Sequence, residues 1–126
     1  MKRSFGELRL IGGALRGRRW RIPDVAGLRP TPDRVRETLF NWLAPHIAGR
    51  RVLDLFAGSG ALGFEALSRG AASATLVEQD RVALAALRDT AARFGLSQAR
   101  IEGGDALAFL GTQPPNVGAD LTRRAS

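Results

Sequence analysis

Residues 51–63 read RVLDLFAGSGALG and contain the pattern that decides the fold. An apolar strand pattern leads into Gly58, Gly60 and Gly63, which have the spacing G-x-G-x-x-G. A helical pattern begins directly after this turn. Glycines at this spacing allow a sharp turn and a close approach to a ligand, while the helix N-terminus offers free N–H groups. The stretch therefore predicts a nucleotide-binding turn; a glycine turn that only packs tightly is the alternative.

Alternating strand and helix patterns continue on the C-terminal side of this turn. The predicted strands are 51–56, 74–78 and 99–103, and the predicted helices are 61–69, 81–94 and 105–110. Strands that alternate with helices form a parallel sheet with the helices packed against it. We therefore expect an α/β protein with a Rossmann-like fold. Residues 111–126 show neither the periodicity of a helix nor the alternation of a strand, and we predict that they are disordered.

The segment before the sheet is predicted to contain a β-hairpin extension and one helix. In residues 7–22, apolar residues alternate with charged residues, which predicts two strands joined by a two-residue turn at Gly12-Gly13. Thr31 is the predicted N-cap of the helix, and Pro32 is its first helical residue. The helix extends to about residue 43 and carries its apolar residues on one side, namely Val35, Leu39, Trp42 and Leu43.

Length and composition restrict the class of protein. With 126 residues, 44% of them hydrophobic, the chain is expected to form one domain with one core. It has no cysteine and a single histidine, His46, which excludes thiol chemistry and leaves too few ligands for a metal site. The sequence contains neither a signal peptide nor an apolar run of the roughly 18 residues that a membrane span needs. We therefore expect a cytoplasmic protein with no metal and no membrane contact.

Positive charge is concentrated at the N-terminal end. Residues 1–51 contain 12 of the 19 Lys and Arg residues but only 4 of the 12 Asp and Glu residues. A basic region beside a nearly neutral body indicates a polyanion-binding surface separate from a small-molecule site. Because 18 of the 19 basic residues are arginine, GC-rich coding would explain why arginine is used in place of lysine. It does not explain why the positive charge lies at one end of the chain.

The predicted hairpin carries the residues suited to binding a polyanion. They are Arg9, Arg16, Arg18, Arg19 and Arg21, with Trp20 among them. Guanidinium groups pair with phosphates and stack on bases, and a tryptophan ring can also stack on a base. A merely solvated basic face is the alternative for the arginines, and a core anchor of the hairpin is the alternative for Trp20.

Asp54 and Glu78 indicate which nucleotide the turn binds. Asp54 lies four residues before Gly58, where its carboxylate would repel a dinucleotide pyrophosphate by on the order of several kcal/mol. The same carboxylate attracts S-adenosylmethionine, which carries an ammonium and a sulfonium. Glu78 ends the second predicted strand and can accept hydrogen bonds from ribose hydroxyls, and Asp105 could accept one from the adenine amino group. A capped or salt-bridged strand acid is the alternative for Asp54.

Five stretches of the chain, taken together, carry a resemblance to a known family. They are LIGGALRGRRWRIP (10–23), LRPTPDRVRETLFNWL (28–43), VLDLFAGSGALGFEALSRGA (52–71), VEQDR (77–81) and GGDAL (103–107). Together they resemble the RsmD family, bacterial 16S ribosomal RNA guanine-N2 methyltransferases, over residues 8–110. The resemblance implies a Rossmann-like methyltransferase fold, S-adenosylmethionine as cofactor and an N-terminal hairpin that helps to hold RNA. It implies 16S ribosomal RNA or a small-subunit assembly intermediate as partner.

The resemblance also assigns roles to individual residues. It places Asp54, Gly58 and Gly60 at the methionine end of the cofactor, Glu78 at the ribose and Asp105 near the adenine. The segment of Thr31 and Arg36 corresponds to the one that closes over the methionine carboxylate. The complete predicted cofactor-binding set is Asp54, Phe56, Ala57, Gly58, Ser59, Gly60, Glu78, Gln79, Asp105, Ala106, Thr31 and Arg36. The predicted organisation is a basic hairpin extension and loop (1–31), the N-terminal half of the methyltransferase domain (32–110) and an aberrant tail (111–126).

The catalytic motif of the family has no match in this sequence. In the family, Asn/Asp-Pro-Pro-Tyr/Phe ends a fourth strand and accepts protons from the guanine amine. Gln113-Pro114-Pro115-Asn116 lacks the acid or amide, the aromatic residue and a preceding apolar strand. We therefore predict no catalytic residue in this chain and a domain that is truncated before the motif. Without a fourth strand, the first parallel strand would keep an unpaired apolar edge through which the chain self-associates.

Methylation of a guanine N2 in 16S ribosomal RNA is the function that the resemblance implies. Two alternatives remain for this chain. A non-catalytic RNA-binding remnant would bind RNA and transfer no methyl group. An NAD-dependent oxidoreductase would use the same glycine turn, but Asp54 opposes a dinucleotide.

Overall fold

The structure is a computed structural model in which residues 4–23, 25, 28, 32–111 and 121–123 are described. The elements, in chain order, are β1 (Ser4–Arg9), β2 (Arg19–Pro23), α1 (Asp33–Leu43), a 3₁₀ turn (Ala44–His46), β3 (Arg51–Asp54), α2 (Ala61–Ser68), β4 (Ser73–Glu78), α3 (Arg81–Arg93), β5 (Ala99–Gly103), α4 (Ala106–Gly111) and β6 (Leu121–Arg123). Each strand and helix predicted between residues 51 and 110 is present, and its boundaries differ from the prediction by at most two residues.

Strands β3 to β6 form one parallel sheet with the strand order β5-β4-β3-β6. The chain runs outward from β3 through β4 to β5 and then returns to the other side of β3 with β6. In open sheets of this kind, ligands bind at the carboxyl ends of the strands, beside the point where the strand order reverses. That point lies between β3 and β6, where β3 ends at Asp54. The predicted Rossmann-like α/β class is confirmed.

A further parallel strand corrects the prediction for residues 111–126. Leu121–Arg123 pairs in register with Val52, Leu53 and Asp54, so β3 is not left with an unpaired edge here. A strand of three residues is too short to produce a detectable alternation in the sequence. The predictions of a missing fourth strand and of disorder at these three residues are therefore wrong. The rest of the tail, including Gln113-Pro114-Pro115-Asn116, lies outside the described residues.

Helices cover both faces of the sheet. On one face, Val52 and Leu76 belong to the main core, which also contains side chains of the hairpin, α1, α2 and α3. On the other face, Leu53 and Val77 cluster with Ala106 of α4. Every residue of α2 is buried, as expected for a helix whose residues other than Glu65 and Ser68 are apolar. The helix that follows the glycine turn is therefore held between the sheet and the hairpin.

Strands β1 and β2 form the predicted hairpin, but the predicted two-residue turn at Gly12-Gly13 is wrong. The ladder closes where the Leu10 N–H donates to the Arg18 carbonyl at 2.9 Å, so a longer loop connects the strands. This loop packs on α2, because the Ala14 N–H donates to the Ser68 carbonyl at 2.7 Å. Gly13 has a φ of 84°, and a Cβ there would collide with the Ser68 backbone. The shape of the loop is thus set by contact with Ser68, a residue more than fifty positions later in the sequence.

Helix α1 begins at Asp33, with Pro32 as its N-cap rather than its first helical residue. Its buried side chains are Arg36 and Phe40. Val35 and Trp42 are 55% and 76% exposed, so the predicted apolar face is wrong for these two residues. Leu39 and Leu43 do pack against the core. The helix turns Arg36 inward because a buried carboxylate of α2 lies opposite, a partner that local periodicity does not reveal.

No helix in the described part of the chain is long and apolar enough to cross a membrane. Within the same residues, no group of three or more His, Cys, Asp or Glu side chains could hold a metal ion.

Candidate functional site

The glycine turn follows β3 at the reversal point of the sheet. Gly58 and Gly60 have φ values of 52° and 85°, in the left-handed region that glycine adopts without strain. The Gly60 N–H donates to the Ala57 carbonyl at 2.8 Å and closes the turn. A Cβ on Gly60 would lie 2.5 Å from the Phe64 ring and 2.7 Å from Leu87, so the turn has no room for a side chain here.

Gly63, the third glycine of the motif, has a different structural role. A Cβ on Gly63 would lie 2.8 Å from the side chain of Leu76 in β4. Glycine therefore allows α2 to pack closely against the sheet. The motif thus divides into two residues that shape the turn and one that fixes how the helix lies on the sheet.

Glu78, at the carboxyl end of β4, organises the loops around the turn. Its Oε1 accepts a hydrogen bond from the Gly58 N–H at 2.8 Å, and its Oε2 accepts one from the Asp80 N–H at 2.9 Å. Its backbone carbonyl accepts a hydrogen bond from the Gly104 N–H at 3.0 Å. Each carboxylate oxygen keeps a further lone pair, so both remain able to accept from a ligand hydroxyl.

Asp54 is fully buried at the carboxyl end of β3. It pairs in register with Leu76 on one side and with Arg123 on the other, so it occupies the reversal point of the sheet. A carboxylate in this position favours a ligand that brings positive charge to the site and disfavours a pyrophosphate.

The other predicted cofactor residues are distributed around the strand ends. Asp105 is exposed and accepts the Ala108 N–H at 3.1 Å, so it caps α4. Phe56 is 47% exposed and Gln79 is exposed, whereas Ala57, Ser59 and Ala106 are buried. Thr31 lies outside the described residues.

Arg36 is held inside the protein. Its Nη2 donates to the Arg9 carbonyl at 2.6 Å and to Asp33 at 2.7 Å, and its Nε lies 3.5 Å from Oε1 of Glu65. Burial lowers the pKa of the Arg36 guanidinium from its usual value, while Glu65 and Asp33 oppose that shift. Its buried Nη1 makes no hydrogen bond to any residue that the structure describes. A role at the methionine carboxylate stays a prediction.

Glu65 fastens the hairpin loop to α2. Its carboxylate, fully buried, accepts the N–H groups of Ile11 and Gly12 at 3.0 and 2.9 Å and the Arg69 Nε–H at 2.8 Å. The sequence pattern does not distinguish Glu65 from a surface acid. An acid inside an otherwise apolar helix was the available signal, since such a residue needs partners when it is buried.

The hairpin arginines form a basic outer surface, and all of them are exposed. Arg19 pairs with Glu7 at 3.2 Å, and Arg9 pairs with Asp33 at 3.0 Å. A groove of about 500 Å³ separates β2 from α3 and is lined by Glu7, Arg19, Trp20, Arg21, Ala86, Asp89, Thr90 and Arg93. Arg93, which sequence reasoning missed, joins this surface from α3.

Trp20 is buried, with 2% of its surface exposed. Its ring meets Phe64 and Phe94 edge to face at centroid distances of 5.6 and 6.1 Å, and its Nε1–H donates to the Ser59 carbonyl at 2.8 Å. The structure therefore supports the alternative in which Trp20 anchors the hairpin. The prediction that its ring stacks on RNA is wrong for this conformation, because the ring faces the core.

Comparisons with known proteins place the chain in a family. A family model described as "Conserved hypothetical protein 95" matches residues 8–120. The chain is 54% identical over 114 residues to "Ribosomal RNA small subunit methyltransferase D" of Escherichia coli strain K12, a match that covers 89% of this chain and 58% of that protein. The protein of the same name from Haemophilus influenzae is 48% identical over 113 residues, with coverage of 88% and 58%. The chain thus spans less than two thirds of the length of these relatives.

The fold agrees with the sequence match. The solved structure described as "Putative methyltransferase yhhF from Escherichia coli" is 56% identical, with 83% of this chain and 57% of that chain covered and a TM-score of 0.77. The resemblance drawn from the motifs is thereby confirmed. The chain belongs to the family described as "Conserved hypothetical protein 95", the RsmD family, whose relatives carry the name ribosomal RNA small subunit methyltransferase D.

Proposed function

We propose that this chain forms the cofactor-binding and RNA-binding part of an S-adenosylmethionine-dependent methyltransferase. Its acceptor is the exocyclic N2 of a guanine in 16S ribosomal RNA. The observation that carries the proposal is the buried carboxylate of Asp54, which occupies the reversal point of the sheet directly before the glycine turn. The names of the relatives support the coarser part of the proposal, methylation of small-subunit ribosomal RNA.

The donor and acceptor set at the strand ends fits the cofactor. Asp54 supplies negative charge for the cationic methionine end, and Glu78 supplies carboxylate oxygens with spare lone pairs for the ribose hydroxyls. Asp105, exposed beside the end of β5, can accept the adenine amino group. When bound, S-adenosylmethionine supplies a methyl group activated by its sulfonium.

The basic surface of the hairpin fits single-stranded ribosomal RNA or a small-subunit assembly intermediate. Arg16, Arg18, Arg19 and Arg21 offer guanidinium groups in a short stretch of chain, and Arg93 adds one from across the groove. Guanidinium groups pair with phosphates in two-pronged contacts and stack on exposed bases. This assignment places the protein in the cytoplasm, where bacterial ribosomal RNA is made.

Two alternatives make different predictions. A non-catalytic RNA-binding remnant would keep salt-dependent RNA affinity without methyl transfer under any condition. An NAD-dependent oxidoreductase would bind NADH, which the buried Asp54 carboxylate disfavours. No match to the family's Asn/Asp-Pro-Pro-Tyr/Phe motif occurs in the 126 residues, so we expect transfer only where that motif is supplied.

A chimaera tests the proposal. It joins residues 1–123 of this chain to the remaining length of the Escherichia coli relative, a junction that keeps β6 paired with β3. We expect labelled S-adenosylmethionine to methylate guanine N2 in small ribosomal subunits from cells that lack their own family enzyme. The same chimaera with Asp54→Asn should transfer at least about tenfold less, because the charge for the cofactor is lost.

The matched control carries Glu37→Gln, which removes an exposed acid of α1 and should leave transfer unchanged. A folded chimaera that binds S-adenosylhomocysteine but forms no N2-methylguanosine would contradict the proposed acceptor. A folded chimaera that binds no S-adenosylhomocysteine would contradict the proposed cofactor.

A further inference from the structure

Trp20 and Ser59 connect the hairpin to the glycine turn. Trp20 lies in β2, and its Nε1–H donates to the backbone carbonyl of Ser59 at 2.8 Å. Both residues are almost completely buried, with 2% and 3% of their surfaces exposed. A buried indole N–H requires a hydrogen-bond partner, and here that partner is the carbonyl between the two left-handed glycines.

The indole is fixed by its surroundings. Phe64 and Phe94 meet its ring edge to face, and they also meet each other at 6.3 Å. The Phe64 ring fills the space that a side chain at Gly60 would need. The donor therefore cannot shift without moving the aromatic cluster that packs under the turn.

The turn is held from two sides. Glu78 accepts the Gly58 N–H on the side of β4, and Trp20 donates to the Ser59 carbonyl on the side of the hairpin. A carbonyl that is fixed in this way also fixes the plane of the following peptide, which contains the Gly60 N–H. That N–H closes the turn on the Ala57 carbonyl at 2.8 Å, so the orientation of this peptide sets the shape of the turn.

We propose that Trp20 is a positioning residue for the cofactor turn. Its indole N–H holds the Ser59–Gly60 peptide in the ligand-binding orientation, so cofactor affinity depends on the docked hairpin. The inference rests on the proposed function, which supplies the ligand of the turn. Since the outer face of the same hairpin carries the RNA-binding arginines, the two sites are joined by one element.

The test replaces the donor and keeps an aromatic ring. In the 126-residue chain with Trp20→Phe, we expect the affinity for S-adenosylhomocysteine to fall about fivefold, the effect of one lost hydrogen bond. We also expect amide hydrogen exchange at Gly60 to rise about tenfold in the ligand-free protein, because the turn opens more often. Both are measured at a temperature where the variant is fully folded.

Phe40→Leu is the matched control, because it removes buried ring volume in α1, outside the cluster of Trp20, Phe64 and Phe94, and leaves the N–H donor and its surroundings in place. It should lower the unfolding free energy to a similar extent while changing neither the affinity nor the Gly60 exchange. Equal effects of the two variants, or no effect of Trp20→Phe, would overturn the inference. Wild-type protein that binds no S-adenosylhomocysteine would contradict the proposed function, and the Gly60 exchange would still decide whether Trp20 holds the turn.

Discussion

The carboxylate of Glu78 accepts a hydrogen bond from the backbone N–H of Gly58 at 2.8 Å. This bond joins the end of β4 to the turn that follows β3, so the two halves of the candidate site form one unit before any ligand is bound. Sequence spacing predicts both residues as cofactor contacts but not their bond to each other. The bond means that a change at Glu78 alters the turn as well as the proposed ribose contact.

The close packing of α2 on β4 gives a first prediction. Gly63→Ala would place a methyl group 2.8 Å from Leu76, and overpacking of this kind costs about 1–3 kcal/mol. We expect the unfolding free energy, measured by urea denaturation, to fall by that amount. Gly6→Ala in β1 is the control, since nothing lies within 4 Å of the added methyl group and stability should hold or rise. Equal stability of both variants would contradict the packing argument.

The buried carboxylate of Glu65 gives a second prediction. Glu65→Gln leaves Arg36 buried without its α2 carboxylate and weakens the contacts to Ile11 and Gly12. Breaking one partner of a buried ion pair costs about 3–5 kcal/mol. We expect a loss of this order together with faster amide exchange at Ile11 and Gly12. Glu37→Gln, on the exposed face of α1, should change neither quantity, and a stable Glu65→Gln variant would show that the hairpin loop does not depend on this carboxylate.

The hairpin arginines give a third prediction. Replacing Arg16, Arg18 and Arg19 together with alanine should weaken binding to single-stranded ribosomal RNA. It should also reduce the slope of log affinity against log salt by about 2, if each guanidinium meets one phosphate.

The control for charge replaces three arginines outside the hairpin, namely Arg50, Arg88 and Arg100. In this variant the slope of log affinity against log salt should stay close to that of the wild type. Filter binding at several salt concentrations measures both variants. An unchanged affinity in the hairpin variant would move the RNA site elsewhere on the protein.

Self-association through the sheet edge is a fourth prediction. Strand β6 covers β3 over three residue pairs and has no further strand beside it in the described sheet. Open strand edges pair with other chains, so we expect concentration-dependent dimers in sedimentation velocity.

The exposed apolar side chains of α1 offer a competing surface. The double variant Val35→Ser and Trp42→Ser removes them without touching the sheet, and dimers should persist in it. Loss of dimers in this variant would assign the association to α1, and a monomer at every concentration would contradict self-association altogether.

The parts of the fold that were predictable are those specified by local sequence. Gly58, Gly60 and Gly63 lie in one short stretch, and their spacing carries both the turn and the helix that follows it. The strands and helices between residues 51 and 110 are long enough for their hydrophobic periodicity to be recognised in the sequence. Glu78 could be placed at a strand end for the same reason, whereas Asp54 was predicted within a strand that the structure shows to end at this residue.

The parts that were not predictable depend on distant contacts. Arg36 turns inward because Glu65 lies opposite on α2, and the loop after β1 takes its shape from Ser68. Trp20 is buried because its ring packs on Phe64 and Phe94 and a carbonyl of the glycine turn accepts its N–H. A reading of local pattern cannot identify such partners, and a basic neighbourhood made Trp20 resemble a base-stacking residue.

Ligand choice at the glycine turn is tested most directly by calorimetric titration with S-adenosylhomocysteine and, separately, with NADH. The buried carboxylate of Asp54 predicts that S-adenosylhomocysteine binds, that NADH does not bind, and that Asp54→Asn weakens the binding of S-adenosylhomocysteine at least about tenfold, which is about 1.4 kcal/mol. Binding of NADH in preference to S-adenosylhomocysteine, or equal binding by the Asp54→Asn variant, would contradict the account of this site.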